Sequence, residues 1–160
     1  DMPIQHVNNT ILKSMRRATS KEDIIRTITS LRKEIPQISI RTSLIVGFPG
    51  ETEEQFEELV QFVKDYPLDN VGIFKFSREP DSAAYDLPDQ IPEEVKEKRW
   101  NKRMKVQADQ VKKLNKKMIG KTLDVVVEGY HPETKMLMVG RHMGQCPDID
   151  GQVIINDCRN

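Results

Sequence analysis

The sequence predicts an α/β fold with parallel strands, followed by a long helix and a small antiparallel β-module. Three observations predict it. Apolar residues at helical spacing alternate with β-branched runs through residues 1–77, one seam then continues at spacings of three and four from Pro92 to Ile119, and beyond Gly120 the chain breaks into short strands between turn residues.

The opening DMPIQHVNN reads as the end of a strand already under way, without an initiator methionine, and is expected to belong to a longer protein. From Asn9, Ile11, Leu12 and Met15 share a helical face, followed by basic Lys13, Arg16 and Arg17. A second helix starts at the N-cap Ser20, with Asp23 three residues on and an apolar face of Ile24, Ile28, Leu31 and Ile35; Pro36 ends it. Ile38, Ile40, Thr42, Leu44 and Val46 then alternate with Ser39, Arg41, Ser43 and Ile45, which is strand chemistry. Thr52 and Gln55 form the capping box of a third helix, whose stripe is Phe56, Leu59, Val60 and Val63 and whose stop is Tyr66-Pro67. A further strand is expected over Val71 to Ser77. Helices long enough to cross over between strands make the βα repeat of a parallel sheet, and an open doubly wound sheet and a closed barrel both fit it.

Residues 78–92, REPDSAAYDLPDQIP, are proline-rich and aperiodic and are expected to form a loop. Pro92 is placed at the N1 position of a long helix, with Glu93 and Glu94 in its first turn. Its seam of Trp100, Met104, Gln107, Val111, Leu114 and Met118 is expected to pack on the preceding domain, over about 40 Å. Gly120 caps it. Strands are expected at Leu123 to Glu128, Met136 to Arg141 and Gln152 to Ile155, with turns at His131 to Thr134 and Asp148 to Gly151.

Charge narrows the function classes. Lys+Arg and Asp+Glu both number 25 and the pI is near 7.0, so no global signature for nucleic acid or acidic membrane is present and any such patch is local. The longest apolar runs, such as Ser43 to Phe48, fall short of the roughly 20 residues a membrane span needs, and a soluble protein with no membrane partner is expected. Cys146 and Cys158 are too few for a disulfide framework or a cysteine-rich metal site, which points to a reducing cytoplasm; no metal ligand is assigned.

The turn GFPGE, Gly47 to Glu51, invites a phosphate, as glycine-rich strand-to-helix turns do. Glu51, Glu53, Glu54, Glu57 and Glu58 crowd its far side, and no lysine with a Ser/Thr partner is supplied, so that reading fails. Exposed backbone beside Phe48, Pro49 and hydrogen-bond-accepting acids suits a neutral or cationic ligand carrying adenine or ribose, at the carboxyl end of the strand. The plainer alternative is a tight turn whose acids cap a helix. In a barrel Arg41 and Ser43 would point inward, and an inward arginine requires an anion: a carboxylate from another strand or from a ligand.

The segments PIQHVNNTILKSMRR, IRTSLIVGFPGETEEQFEELVQFV, VGIFKFSREPDSAAYDLPDQIPEEVKEKR and DIDGQVIIN, in this order, resemble the radical S-adenosylmethionine methylthiotransferases across essentially the whole chain. The resemblance is strongest to the RimO-type branch, which acts on an aspartate of a small-subunit ribosomal protein. It implies the C-terminal half of a radical-SAM partial (βα) barrel at 1–91, a connecting helix at 92–120 and a TRAM-like β domain, cut short, at 121–160. The CxxxCxxC triad that holds the family's catalytic iron–sulfur cluster is absent, and neither Cys146 nor Cys158 matches a family ligand; both are expected to be ordinary β-module residues. Iron–sulfur clusters are therefore expected only in the full-length protein, and this chain alone is expected to be inactive, with no catalytic residue assigned.

For S-adenosylmethionine the resemblance implies contacts from Gly47, Phe48, Pro49, Gly50 and Glu51 beside the adenine and ribose, and from Arg41 near the methionine part. Gln5 and His6 are expected on the same rim, and Phe74 and Phe76 are expected to flank the adenine. Two molecules are implied in the family reaction, one giving a methyl group to sulfur and one cleaved to a radical that takes hydrogen from the substrate carbon. The RNA-modifying branch, which acts on a tRNA adenosine, carries an SPRPGT-like run where this chain has SREPDSAA, so acidic Glu79 and Asp81 favour a protein substrate. Lys112, Lys113, Lys116, Lys117 and Lys121 leave room for contact with ribosomal RNA. A monomer is expected, and the alternative of another class is a non-catalytic nucleic-acid-binding module.

Overall fold

The first helices begin where a side chain closes the open N–H groups of their first turn. In the computed structural model, which describes residues 1–157, Asn8 Oδ1 accepts from Thr10 and Ile11 N–H to start α1 (Asn9–Ser14). Ser20 and Asp23 form a reciprocal capping box for α2 (Lys21–Glu34), and Thr52 and Gln55 do so for α3 (Glu53–Asp65). Ile24 and Ile28 are buried as expected, but Ile35 is the C-cap of α2 and 45% exposed, so the apolar stripe stops a turn early.

Between these helices lie β1 (Arg41–Val46) and β2 (Asn70–Lys75), paired in parallel with α3 as the crossover. Gln5 adds a single parallel bridge to Leu44 on the other side of β1. Leu44 and Val46 of β1, Ile73 of β2, Leu12, Ile24 and Ile28 of the first helices and Phe56, Leu59, Val60 and Val63 of α3 form one core. Residues 76–92 contain neither helix nor strand.

Pro92 stands just before α4 (Glu93–Met118) rather than inside it, and its carbonyl accepts from Lys96 N–H at 3.1 Å. The expected seam of α4 is also corrected. Gln107 is buried and Trp100 packs on the core as expected, but Met104 and Val111 are 39% and 37% exposed, and Lys96, Arg99, Arg103 and Gln110 are buried in their place. With Gln107 these too recur at spacings of three and four, so the helix turns a polar stripe inward. That stripe is tied to distant main chain: Gln110 Nε2 donates to Val63 O at 2.6 Å and Lys96 Nζ to Phe76 O at 3.0 Å. Trp100 Nε1 donates to Ile73 O at 2.9 Å. Asn70 and Phe76 N–H donate towards β1, so by the alternation of a parallel ladder the Ile73 carbonyl points off the outer edge of β2, where the indole meets it.

The chain divides by compactness into Asp1–Lys117 and a second unit from Met118 onward. The second unit is an antiparallel sheet of β3 (Val125–His131), β4 (Thr134–His142) and β5 (Val153–Ile155) in that order, with Pro132 and Glu133 as the β3–β4 turn. Val139 is its one fully buried large apolar residue among the described residues. Cys146 is partly exposed in this unit, and Cys158 lies outside the described residues. No helix among the described residues is long and apolar enough to cross a membrane.

Candidate functional site

Beneath the β1–α3 turn lies a buried polar knot. The Glu51 side chain is wholly enclosed; its Oε1 accepts from His6 Nε2 at 3.1 Å, and its Oε2 accepts from Gly47 N–H at 2.6 Å and Arg99 Nη1 at 2.7 Å. The same Nη1 donates to the Glu51 carbonyl at 3.0 Å. His6 Nδ1 accepts from Asn8 N–H at 2.9 Å, which puts the ring proton on Nε2, facing the carboxylate. The segment before α1, the turn and α4 thus converge on one carboxylate.

This geometry overturns the expectation of an exposed bend. Gly47, Phe48 and Pro49 are buried, and α4 lies over them: a Cβ on Gly47 would come within 2.4 Å of Lys96 Cγ. Gly47 also has φ +76°, so Gly47→Ala is expected to lower the unfolding free energy by about 1–3 kcal/mol in thermal or denaturant melts. The turn's N–H groups are committed as well. Gly47 donates to Glu51, Gly50 to Asp89 O at 3.0 Å and Glu51 to Phe48 O at 2.9 Å, so no phosphate cradle exists. Nor do most of the acids await a ligand. Glu53 reaches Arg99 Nη2 at 3.4 Å, Glu57 pairs with Lys102, and Glu58 accepts from Asn8 and Lys21. Burial pushes the Glu58 carboxyl up, but those two hydrogen bonds outweigh it and hold the group below its usual range.

Beside the knot is an open sheet face. Ser43 pairs with Gly72 and Ile45 with Phe74 on the side of the strands opposite Leu44, Val46 and Ile73. Phe74 is 56% exposed, and its ring folds back over Gly72, where a Cβ would lie 3.0 Å from Phe74 Cε2. Gln5 lies along the other edge of β1, bridged to Leu44, in a left-handed conformation, φ +69°, held by Gln5 N–H to Ser43 O and Ile45 N–H to Gln5 O, both 2.8 Å. Its half-buried side-chain amide has no hydrogen-bond partner among the described residues.

The ten expected cofactor residues therefore fall into separate groups. His6, Gly47, Phe48, Pro49 and Glu51 are packed together, and Gly50 is the exposed tip of their turn. His6, expected on the rim, is fully buried because Glu51 draws it inward. Phe76 does not stand opposite Phe74; it meets Phe48 edge-on at 5.2 Å, with the Lys96 ammonium 5.4 Å from its ring. Arg41 lies at the amino end of β1, five residues or about 17 Å of strand from Val46, and pairs with Asp1 Oδ1 at 3.1 Å. Ile45, Gly72, Lys96 and Arg99 were not among the expected residues.

Among the described residues no three His, Cys, Asp or Glu side chains converge as a metal site. With two cysteines in the sequence, the thiolates that an iron–sulfur cluster needs are not supplied here, so these residues do not fit that group. Chemically an adenosine is better matched: Ile45 and the exposed Phe74 present an apolar surface on the face of the strands opposite the core, with the Phe74 ring lying over Gly72.

Residues 1–63 match the Radical SAM superfamily and residues 119–160 match the TRAM domain. A relative from Protochlamydia amoebophila, named ribosomal protein uS12 methylthiotransferase RimO, is 76% identical over 99% of this chain. The chain is similar, over nearly its whole length, to a methylthiotransferase of that name, and its two matched segments are those of the Radical SAM superfamily and the TRAM domain. Relatives with the same name from Chlamydia abortus and Myxococcus xanthus are 50% and 51% identical over 99% and 98% of the chain. The chain spans about a third of the length of these curated relatives, 34%, 35% and 33%. Within the chain His6, Glu51 and Ile45 fall in the Radical SAM match, whereas Phe74, Arg78 and Arg99 lie outside both matched ranges.

Proposed function

We propose that the protein containing this chain is a methylthiotransferase that replaces a hydrogen on the β-carbon of an aspartate in a small-subunit ribosomal protein, acting in the cytoplasm. The observation that carries this reading is the 76% identity, over 99% of the chain, to a relative named for that activity on uS12. The residues that would hold S-adenosylmethionine are those of the open face. When bound, that cofactor supplies the methyl group and the means of removing a hydrogen atom from an unactivated carbon.

The chain's own part is positioning. Phe74 and Ile45 offer one side of the adenine an apolar surface and keep water from it, Gly72 leaves room for the Phe74 ring to fold back over the strand, and the Gln5 amide orients a polar edge. His6, Glu51 and Arg99 act one layer below by holding the turn, and Arg41, already paired with Asp1, is left out of the pocket. The exposed lysines of α4, Lys112, Lys113, Lys116 and Lys117, face phosphates of ribosomal RNA in this reading.

The test is anaerobic turnover by the full-length protein with uS12 and S-adenosylmethionine. Mass spectrometry is expected to find one methylthio group in place of hydrogen on an aspartate; modification of a tRNA adenosine with uS12 untouched would overturn the reading. Phe74→Ser is expected to weaken cofactor binding tenfold or more, by about the value of one stacked base. Its thermal midpoint should stay close to that of the parent because the ring is already more than half exposed.

A further inference from the structure

At the carboxyl end of β2 a cleft of about 360 Å³ is lined by Lys75, Phe76, Ser77, Arg78, Glu93 and Lys96. It adjoins the β1–α3 turn, because Phe76 touches Phe48 and Lys96 covers Gly47. Two of its three cations are already engaged. Lys75 Nζ lies 2.7 Å from both Glu93 and Glu97, and those hydrogen bonds push its ammonium up to about 12. Lys96 donates to Phe76 O and lies 3.5 Å from Glu93.

Arg78 is built differently. Its Nε donates to Tyr85 O at 2.8 Å, and its guanidinium carbon sits 4.3 Å from the centre of the Tyr85 ring. Those contacts fix the plane of the group and leave both terminal nitrogens without a partner among the described residues. The loop that carries the platform is itself tied down: Gln90 Nε2 donates to Leu87 O at 2.9 Å and to Ala84 O at 3.2 Å, and Asp89 O accepts from Gly50 N–H. Acidic Glu79 does not fill the fork, since its Oε1 accepts from Ser77 Oγ.

We propose that Arg78, held flat on Tyr85, grips the carboxylate of the acceptor aspartate and so selects an acidic side chain. This rests on the reading of the protein as an aspartate-modifying enzyme. A catalyst that works on a carbon next to a carboxylate has to hold that carboxylate, and a planar fork whose two terminal nitrogens present one free edge matches both oxygens in a way that an ammonium does not.

The experiment is steady-state turnover by the full-length holoenzyme on a uS12-derived peptide carrying the aspartate, and on the same peptide with asparagine there. In Arg78→Lys the KM for the aspartate peptide is expected to rise about tenfold or more, with kcat within about twofold and S-adenosylmethionine affinity unchanged. The preference for aspartate over asparagine should shrink by the same factor. Tyr85→Leu, which keeps the charge but removes the platform, should move KM in the same direction. An unchanged KM in both Arg78→Lys and Arg78→Ala would overturn the assignment, as would an equal loss on both peptides. Wild-type enzyme that modifies RNA and leaves the aspartate alone would sink the underlying reading, and the role of Arg78 with it.

Discussion

Replacing Arg99 by Met lowers the free energy of unfolding by about 3–5 kcal/mol, to be read as a fall in denaturation midpoint at unchanged slope. The size follows from what is left behind. Glu51 is fully enclosed, and without the guanidinium its carboxylate keeps only the His6 ring and the Gly47 N–H as donors. A buried charge stripped of its counter-charge costs far more than a surface pair would contribute. Glu51→Gln in the same background removes the stranded charge and should recover much of the loss, giving a clear coupling energy in a double-mutant cycle. A midpoint that Arg99→Met leaves in place would show that water reaches Glu51 and that the knot does not close the turn.

Arg103→Met moves stability the other way, by about 3 kcal/mol in favour of the folded state near neutral pH. Arg103 is 0% exposed, and its Nε and both terminal nitrogens have no acceptor among the described residues. Loss of hydration alone pushes its guanidinium down from the usual arginine range to about 10, and a gap of that size corresponds to about 3 kcal/mol. The sign follows from proton binding: above about pH 10 and below the usual arginine range the unfolded chain holds the proton that the folded chain has released, so wild-type stability rises with pH there. Below about pH 10 the penalty is complete. The advantage of the Met variant should therefore be flat from neutral pH to about 10 and shrink above it. A variant less stable than wild type at pH 7 would mean that the guanidinium has a partner after all.

The helix starts were legible because capping is local: Ser20 with Asp23 and Thr52 with Gln55 lie within one turn of chain, and both boxes form. The alternation of β1 likewise assigned Leu44 and Val46 to the core. Alternation tells which face a side chain takes but not how far along the strand it lies from the turn, and Arg41 stands about 17 Å of strand before Val46. The buried face of α4 escaped for another reason. A hydrophobic periodicity search assumes that charges point outward, whereas Arg99 is drawn in by Glu51, a residue 48 positions earlier that no local pattern links to it. The exposure of the GFPGE bend was misjudged for the same cause, since nothing within the motif says that α4 will cover it.

The indole of Trp100 on the last carbonyl row of the sheet has a consequence for solubility. A bare strand margin recruits other polypeptides by main-chain pairing and is a common seed of aggregates. Here a rigid ring occupies the Ile73 oxygen that an incoming strand would need. A stray strand approaching that margin therefore finds the central acceptor already taken.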